Sequence, residues 1–431
     1  MQKPLLASRL DVPSPPLGLL ARSRLFLLLN HSTIVTVVRA PAGWGKSVLL
    51  TSWLHAAAPL DSVAWLSIER GDNAADFWCY LDAALRRAVP GARFPRLGGV
   101  PDRRHLNQLA EALIESPRPL VLVVDAADNL RSADVERDLD FLLRHAMGKL
   151  RLVAASRGVG PVPVHLWRLR GELTEIGPAD LAFTAPETAE LLTRLGVEVS
   201  ARDVDLVQDQ SEGWPAGIRL AAVAAQHDAT GRPGRVGDAF VYQADYLTRE
   251  VLAEQPAWLQ DILLDTVIAD HLCGGLVEAM TLRADGDQLL RHMLDAGLFL
   301  TPVESEPGFY RYHSLFARVM RSTSATRHPA RTPVLHRRAA TWFAEHDLPM
   351  DALQHAVAVK ARTLHVYSDS EVVVKQMTGE YNCRSPRLHS LNWTCRKLAR
   401  SVDFSIAHVP RERNREANEL ANRAVKSRPV A

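Results

Sequence analysis

Short, fully apolar runs alternate with amphipathic stretches over the first 180 or so residues of the chain. A stretch with helical periodicity lies at 74–89, and 17–30 predicts a short leading helix. Strands that alternate with helices in this way predict a parallel sheet with helical crossovers, an α/β fold. The apolar runs, which have the length and β-branched content of buried strands, lie at 33–38, 63–68, 120–125 and 150–156.

From Ala179 onward the apolar positions recur with helical spacing. A Gly- and Pro-rich stretch at 226–238 indicates a linker, and 239–320 is a second, mostly helical unit. A further junction is expected at 322–333, and 334–359 predicts two amphipathic helices.

The last part of the chain returns to a strand and helix pattern. It predicts a strand over 364–370 that ends in an acid, then a helix that begins at Glu371. A second strand is expected at 403–410 and a final helix at 414–425.

The segment between the first strand and its helix contains a recognisable binding motif. Residues 40–47 read Ala-Pro-Ala-Gly-Trp-Gly-Lys-Ser, the looser form of the phosphate loop of nucleotide-binding proteins. The glycines bring backbone N–H groups close to phosphate oxygens, the lysine reaches the β- and γ-phosphates, and the serine hydroxyl binds Mg²⁺. A Gly-rich turn with a chance lysine is the alternative. The expected nucleotide-binding residues of the loop are Ala42, Gly43, Trp44, Gly45, Lys46 and Ser47.

Two residues at the ends of later strands extend this hypothesis. Asp125 ends the third run, where an acid opposite Ser47 is expected to hold Mg²⁺. The alternative is an aspartate that caps the next turn. Arg157 follows the fourth run, on the same sheet edge, where it is expected to sense the γ-phosphate or to be an ordinary surface arginine.

Composition limits the class of protein. The chain of 431 residues is 47% hydrophobic and 23% charged, which is typical of a globular protein with two to four domains. It has no apolar run long enough to span a bilayer, and prolines interrupt the N-terminal 20 residues, so a cytoplasmic location without membrane contact is expected. The four cysteines, at 79, 273, 383 and 395, have no metal-binding spacing and are interpreted as reduced packing residues.

Charge is unevenly distributed along the chain. Residues 362–431 carry 13 Lys and Arg against 7 Asp and Glu, a net of +6, whereas the rest has 38 against 42, a net of −4. A basic tail on an acidic body predicts contact with nucleic acid, and a solvated basic surface is the alternative.

Residues 15–360 resemble the large ATP-binding bacterial regulators of the MalT type, signal-transducing NTPases of the LuxR family. Five segments in the same order carry the resemblance: the phosphate loop at 40–47, Ala-Trp-Leu-Ser at 64–67 with Asp-Asn at 72–73 and Phe-Trp at 77–78, Ser-Arg at 156–157, Gly-Trp-Pro-Ala-Gly at 213–217, and Tyr-Arg-Tyr-His-Ser-Leu-Phe at 310–316.

The resemblance implies a P-loop domain that binds ATP or ADP with Mg²⁺, a helical lid, a winged-helix domain and helical repeats that bind an inducer. Nucleotide-dependent self-association is a further expectation. In such relatives the winged-helix histidine, here His313, contacts a phosphate of the nucleotide; on its residues alone His313 reads as a core histidine. Ala126 stands where the family has a second acid, so at most weak ATPase activity is expected. No DNA-binding helix-turn-helix is recognised after residue 360.

Residues 363–426 resemble instead the C-terminal half of ribonuclease HI, through Tyr-Ser-Asp-Ser at 367–370 and Asn-Arg-Glu-Ala-Asn-Glu-Leu-Ala at 414–421. The resemblance makes Asp369 a metal-binding carboxylate and His408 the histidine that assists product release. Asn418 occupies the position of the last carboxylate. Two Mg²⁺ ions need several carboxylates, so hydrolysis by this partial domain is not expected.

These inferences give an α/β fold with five parts. The expected function is an ATP/ADP-binding regulatory switch; a nuclease acting on RNA–DNA hybrids and a non-functional chimera are the alternatives. The expected parts are a P-loop domain at 1–178, a helical lid at 179–238, a winged-helix domain at 239–325, the start of helical repeats at 326–361 and a partial ribonuclease-H-like domain at 362–431.

Overall fold

The computed structural model divides the chain into two compact units. The first contains Met1–Glu254, Arg291–Thr301 and His313–Phe316, and the second contains the remainder. The residues described are 5–16, 18–31, 33–57, 62–158, 160–162, 164–226, 236–346, 348–359, 363–368, 370–382, 392–393, 396–397 and 403–410.

A five-stranded parallel sheet forms the centre of the first unit, which confirms the predicted α/β class. Its strand order is β2-β3-β4-β1-β5, so β1 lies between β4 and β5. Side chains on both faces of β3 are buried, as its uninterrupted apolar sequence requires. The strands are β1 Val35–Arg39, β2 Ser62–Ser67, β3 Leu120–Asp125, β4 Leu150–Ser156 and β5 Leu173–Ile176.

Helices connect and cover these strands. They are α1 Ser23–Leu29, α2 Lys46–Ala57, α3 Ala74–Ala88, α4 Arg103–Ile114, α5 Ala133–His145, α6 Val164–Leu169, α7 Pro178–Leu181, α8 Ala185–Arg194, α9 Ala201–Ser211, α10 Pro215–Gln226 and α11 Phe240–Tyr246, followed by a π-helix over Leu247–Leu252.

Part of the MalT-like sequence pattern has a structural role in the first unit. The Asn73 side chain accepts the N–H groups of Ala75 and Asp76, which forms a capping box at the start of α3. Phe77 and Trp78, on the first turns of α3, are almost completely buried in the core beside the sheet. These residues therefore specify the crossover between β2 and β3.

The later helices are α12 Ala257–Thr266, α13 Gly274–Thr281, α14 Gly286–Asp295, α15 Ser314–Arg327, α16 Thr332–Glu345 and α17 Pro349–Ala358. Two short strands, β6 Leu300–Pro302 and β7 Tyr310–Tyr312, lie between α14 and α15. The Thr266 and Tyr312 hydroxyls are 2.9 Å apart in the second unit, and burial raises the pKa of Tyr312.

The described C-terminal segments form a strand, a helix and a strand. They are β8 Thr363–Ser368, α18 Glu371–Thr378 and β9 Asp403–His408. The two strands are parallel, with Thr363 opposite Asp403 and Ser368 opposite His408. The predicted helix at 414–425 lies outside the described residues.

Three sequence-based expectations need correction. The leading helix covers only Ser23–Leu29 of the predicted 17–30, since Gly18 has a positive φ of 72°. The edge strand β5 was not predicted, because its four residues mix polar and apolar types. The junction expected at 322–333 is largely helical, because α15 continues to Arg327 and buries Ser324. Most of the predicted linker, 227–235, lies outside the described residues.

Two further observations concern expectations from composition. No helix in the described part of the chain is both long and apolar enough to cross a membrane. Cys79 and Cys273 are free thiols, and burial raises the pKa of each. Cys383 and Cys395 lie outside the described residues.

Candidate functional site

The segment 40–47 leaves the carboxyl end of β1 and leads directly into α2. Gly43 and Gly45 have φ values of 74° and 72°, the left-handed region that favours glycine. The N–H of Leu49 donates to the carbonyl of Gly45, which closes the first turn of α2. The first N–H groups of a helix have no partner within the helix, so the start of α2 is suited to binding an anion.

Lys46 and Ser47 follow Gly45 in the first turn of α2. The Lys46 Nζ donates to the carbonyls of Ala40 at 2.7 Å and Pro41 at 2.8 Å, so the ammonium group folds back over the loop. The Ser47 Oγ donates to the Asp125 Oδ1 at 2.8 Å. Asp125 ends β3, and the parallel register of β3, β4 and β1 brings its carboxylate to the edge from which the loop emerges.

The charges of this region affect one another strongly. Burial and the neighbouring Arg157 lower the pKa of Lys46 to about 8, although Asp128 and Asp125 act in the opposite direction. Burial raises the pKa of Asp125, despite its hydrogen bonds from Ser47 and from the Ala126 N–H. An anion near Lys46 and a cation near Asp125 would therefore each relieve an unfavourable burial.

The turn after β3 holds a second acid in an unexpected position. Ala126 has a left-handed φ of 53°, and its N–H donates to the Asp125 Oδ1 at 3.0 Å. The acid that the family pattern expects at 126 is absent, but Asp128 lies two residues further on. The Asp128 Oδ1 accepts the N–H of Arg157 at 2.7 Å, which ties the ends of β3 and β4 together.

These groups line a cavity of about 490 Å³ beside the loop. It is lined by seven of the nine nucleotide-site residues expected from the sequence, namely Ala42, Gly43, Gly45, Lys46, Ser47, Asp125 and Arg157. Besides Asp128, three charged lining residues were not among the expected ones. They are Arg70 in the turn after β2, Glu250 in the π-helix, and Glu254 just beyond it.

The Gly-Trp-Pro segment packs directly on the loop. The Trp214 Nε1 donates to the carbonyl of Ala42 at 3.1 Å, and the Ala216 N–H donates to the carbonyl of Gly43 at 3.0 Å. A Cβ on Gly43 would lie 2.7 Å from the Ala216 Cβ, so only glycine permits this approach. Helix α10 thus begins on the loop itself.

A second, mainly apolar cavity of about 280 Å³ shares Gly43, Gly45 and Val48 with the larger one. Leu19, Leu49 and Pro215 contribute to its wall. The Ser52 hydroxyl also lines it, is buried, and has no hydrogen-bond partner among the described residues. A ligand with an apolar ring and a polar edge would suit this cavity.

His313 lies in an aromatic cluster under the loop and not on the wall of the larger cavity. Its imidazole is 6.0 Å, centroid to centroid, from Trp44, 6.4 Å from Trp214 and 5.9 Å from Phe299, and is 6% exposed. The edge-on rings match the core interpretation of this histidine.

The residues carried over from ribonuclease HI are only partly described. His408 is the last residue of β9, and it is exposed. Asp369 and Asn418 lie outside the described residues. Among those that are described, no group of three or more His, Cys, Asp or Glu side chains has the arrangement of a metal site. The Ser47 and Asp125 side chains carry oxygens of the kind that Mg²⁺ binds, and Mg²⁺ commonly takes most of its other ligands from phosphates and water.

Comparison with known families gives two matches. Residues 248–332 match the MalT winged helix domain, and residues 311–424 match a family described as reverse transcriptase-like. The matches overlap over 311–332. The second therefore begins well before the boundary that the sequence suggested at 362, and the described residues from 314 to 358 form mainly the helices α15, α16 and α17.

Similar proteins extend over most of the chain. The serine/threonine-protein kinase PknK of Mycobacterium tuberculosis is 31% identical over 360 residues, which are 80% of this chain and 32% of PknK. The HTH-type transcriptional regulator MalT of Vibrio cholerae is 28% identical over 381 residues, 85% of this chain and 41% of MalT. The chain thus spans about a third to two fifths of these relatives.

Solved structures of low sequence identity also align with the chain. The Walker-type ATPase PABY2304 of Pyrococcus abyssi aligns with a TM-score of 0.48 and 14% identity, over 68% of this chain and 92% of that one. By sequence, the chain is similar to MalT-type regulators and to PknK over about four fifths of its length, and it carries a match to the MalT winged helix domain.

Proposed function

We propose that this chain binds ATP or ADP with Mg²⁺ and that the bound nucleotide acts as a regulatory switch. The observation that carries the proposal is the grouping of Lys46, Ser47, Asp125 and Arg157 around one cavity at the carboxyl edge of a parallel sheet. Ligands of open α/β sheets bind at this edge. The resemblance to MalT-type regulators supports the regulatory role.

The roles of the residues follow from their chemistry. The N–H groups of the loop would hold the α- and β-phosphates, and the Lys46 ammonium would leave the carbonyls of Ala40 and Pro41 to contact the outer phosphates. The Ser47 hydroxyl and Asp125 carboxylate would hold Mg²⁺, which offsets phosphate charge. Arg157 would contact the terminal phosphate.

The apolar cavity is the proposed site of the base. Because the two cavities share Gly43, Gly45 and Val48, one ligand would extend from one to the other. The partnerless Ser52 hydroxyl would hydrogen-bond to a polar edge of the base. Because Ala216 donates its N–H to the carbonyl of Gly43 and, with Pro215, lines this cavity, a bound nucleotide would hold the lid against the loop.

Lys46→Ala tests the proposal. The variant should bind ADP and ATP on the order of tenfold to a hundredfold more weakly, the value of a hydrogen bond to a charged group. Titration calorimetry with Mg²⁺ is the measurement. Lys149→Ala is a matched control, since Lys149 precedes β4 at the opposite edge of the sheet. Equal affinities in the two variants would contradict the proposal.

A nuclease acting on RNA–DNA hybrids is the second candidate. The match of residues 311–424 to a reverse transcriptase-like family favours it, and the parallel β8–α18–β9 arrangement is consistent with the predicted ribonuclease-H-like pattern. The sequence offers Asp369 and Asn418 where such an enzyme needs several carboxylates. We therefore propose nucleic-acid contact by the basic tail and not cleavage.

The division into domains remains a proposal as well. We infer a P-loop domain at 1–178, a helical lid at 179–238, a winged-helix domain at 239–325, the start of helical repeats at 326–361 and a partial ribonuclease-H-like domain at 362–431. The match to the MalT winged helix domain at 248–332 supports the third of these.

A further inference from the structure

A short N-terminal segment forms part of the wall of the apolar cavity. This segment, residues 18–22, is the N-terminal strap, and it lies just before α1. It contributes Gly18, Leu19, Leu20 and Arg22 to the cavity wall, and Phe183 contributes from the connection between α7 and α8. The shape of the cavity therefore depends on what holds the strap in place.

Helix α8 holds the first residues of the strap. The Arg194 guanidinium, in the last turn of α8, donates to the carbonyl of Leu19 at 2.6 Å. A Cβ on Gly18 would lie 2.7 Å from the Leu195 Cδ2, so the strap and the end of α8 are in close contact. This end of the strap is therefore attached to α8.

Arg22, the last residue of the strap, is fixed by several contacts. Its guanidinium is buried and donates to the carbonyls of Leu181 and Ala182, both at 2.8 Å. It also donates to the Glu187 carboxylate at 3.1 Å and lies 4.4 Å from the ring centroid of Phe183. A buried guanidinium needs both kinds of oxygen partner, because carbonyls satisfy its N–H groups and a carboxylate offsets its charge.

The Glu187 carboxylate joins two arginines to the start of α8. Arg24, in the first turn of α1, donates to it at 3.0 and 3.1 Å and is more exposed than Arg22. The same carboxylate accepts the Thr184 N–H at 3.0 Å, which completes the capping box of α8. Burial alone would raise the pKa of this carboxyl, but the hydrogen bonds from the arginines and the cap lower it to about 2, so it is charged at neutral pH.

We infer that Glu187 is a positioning residue for the base of the nucleotide. This inference rests on the proposed function, in which the apolar cavity holds the base. Glu187 lies outside the cavity lining and acts through Arg22, which it keeps against Phe183. Without this charge the guanidinium would move toward water, because a buried charge that has lost its counter-charge is costly, and the strap would no longer form a fixed wall. A preformed wall lowers the entropic cost of binding the base.

Glu187→Gln tests this role, because glutamine also serves in a capping box and so keeps the cap of α8 while it removes the charge. Titration calorimetry measures the binding of ADP and of inorganic pyrophosphate, each with Mg²⁺. The affinity for ADP should fall about tenfold, since the wall must then be ordered on binding. The affinity for pyrophosphate, which has no base, should stay the same. Glu175→Gln is the matched control: Glu175 also accepts two hydrogen bonds from one arginine, Arg168, and lies outside the cavity lining.

The ratio of the two affinities separates positioning from stability. A general loss of stability would act on both ligands alike, so equal losses for ADP and pyrophosphate would overturn the inference, as would an unchanged ADP affinity. Either result would leave the proposed function standing. A wild-type chain that does not bind ADP would overturn both proposals.

Glu187→Asp is a second variant, which keeps the charge but shortens its reach by one methylene group. Its ADP affinity should lie between those of the wild type and Glu187→Gln, with pyrophosphate binding unchanged. Should Glu187→Gln fail to fold, the aspartate variant carries the test alone. A selective decrease in its ADP affinity supports the inference, and the absence of one overturns it.

Discussion

At the scale of single residues, Gly43 joins the loop to the lid. Its φ of 74° lies in the left-handed region that favours glycine, and the side on which a Cβ would stand faces Trp214 and Ala216. An added Cβ would lie 2.7 Å from the Ala216 Cβ and 2.8 Å from the Trp214 ring. The loop therefore carries two constraints at one position, a backbone conformation and a close approach.

Gly43→Ala should separate these constraints from each other. Gly148→Ala is the matched control, because Gly148 has a φ of 75° but no atom within 4 Å of the added Cβ. Both variants should lose about 1–2 kcal/mol from the left-handed conformation, and Gly43→Ala should lose about 1–3 kcal/mol more from overpacking. Thermal unfolding measures the difference, and equal losses would show that the lid does not press on the loop.

Only some of the residues of the phosphate-loop cavity could be predicted from the sequence. Lys46 and Ser47 were expected because the motif is contiguous, and Asp125 because it ends an apolar strand. Arg70, Glu250 and Glu254 were missed, since no local pattern distinguishes a cavity glutamate from a surface one. Only the fold brings together residues separated by 184 positions, as it does for Arg70 and Glu254.

At the scale of elements, burial decides what could be predicted. Leu120–Asp125 and Leu150–Ser156 were predicted with their observed bounds, because strands buried on both faces are uninterrupted apolar runs. The edge strand Leu173–Ile176 has half-exposed residues and lacks that signal. The Ser- and Thr-rich end of α15 was read as a junction, but it is helical: Ser324 is buried, and the Thr323 and Thr326 hydroxyls donate to carbonyls of the preceding turn.

A histidine pair holds α16 against α17 in the second unit. The Nδ1 atoms of His336 and His355 are 2.7 Å apart, and Phe343 stacks on His355 with centroids 5.4 Å apart. One Nδ1 must donate and the other accept, so at least one ring is neutral. Burial and then His336 lower the pKa of His355 to about 4, with Arg321 adding to this and Asp270 opposing it; burial and Arg321 also lower the pKa of His336.

This pair should make the second unit sensitive to acid. Both pKa values lie below the ordinary 6.5, so the unfolded chain binds more protons than the folded one. The stability that the pair contributes is therefore fully present above pH 6.5 and is lost as the pH falls toward 4. Protonation of one such group lowers the free energy of unfolding by at most about 1.4 kcal/mol per pH unit. Thermal unfolding between pH 7.5 and 5 should show a smaller drop in His355→Gln than in wild type. The exposed His31→Gln is the control, and equal drops in all three proteins would contradict the prediction.

At the scale of the whole molecule, the chain carries two sequence relationships. The chain is similar to MalT over 85% of its length, and residues 311–424 match a reverse transcriptase-like family. The overlap of the two family matches covers α15, which the structure forms as one continuous helix of 14 residues. The boundary near 361 that the sequence suggested stays a prediction, and the second match already includes α16 and α17.

The basic tail provides the last prediction, which concerns cleavage of nucleic acid. Its net charge of +6 over 362–431 should let the chain bind an RNA–DNA hybrid weakly, with an affinity that falls steeply as salt is raised. Cleavage with Mg²⁺ should not occur, because the tail offers Asp369 with the uncharged Asn418, and two metal ions need several carboxylates to offset their charge. Incubation of a labelled hybrid with the purified full chain measures both properties, and Asp369→Asn is the control. Mg²⁺-dependent cleavage that disappears in this control would make the nuclease the better description of the tail, whereas cleavage that persists would indicate a contaminating enzyme.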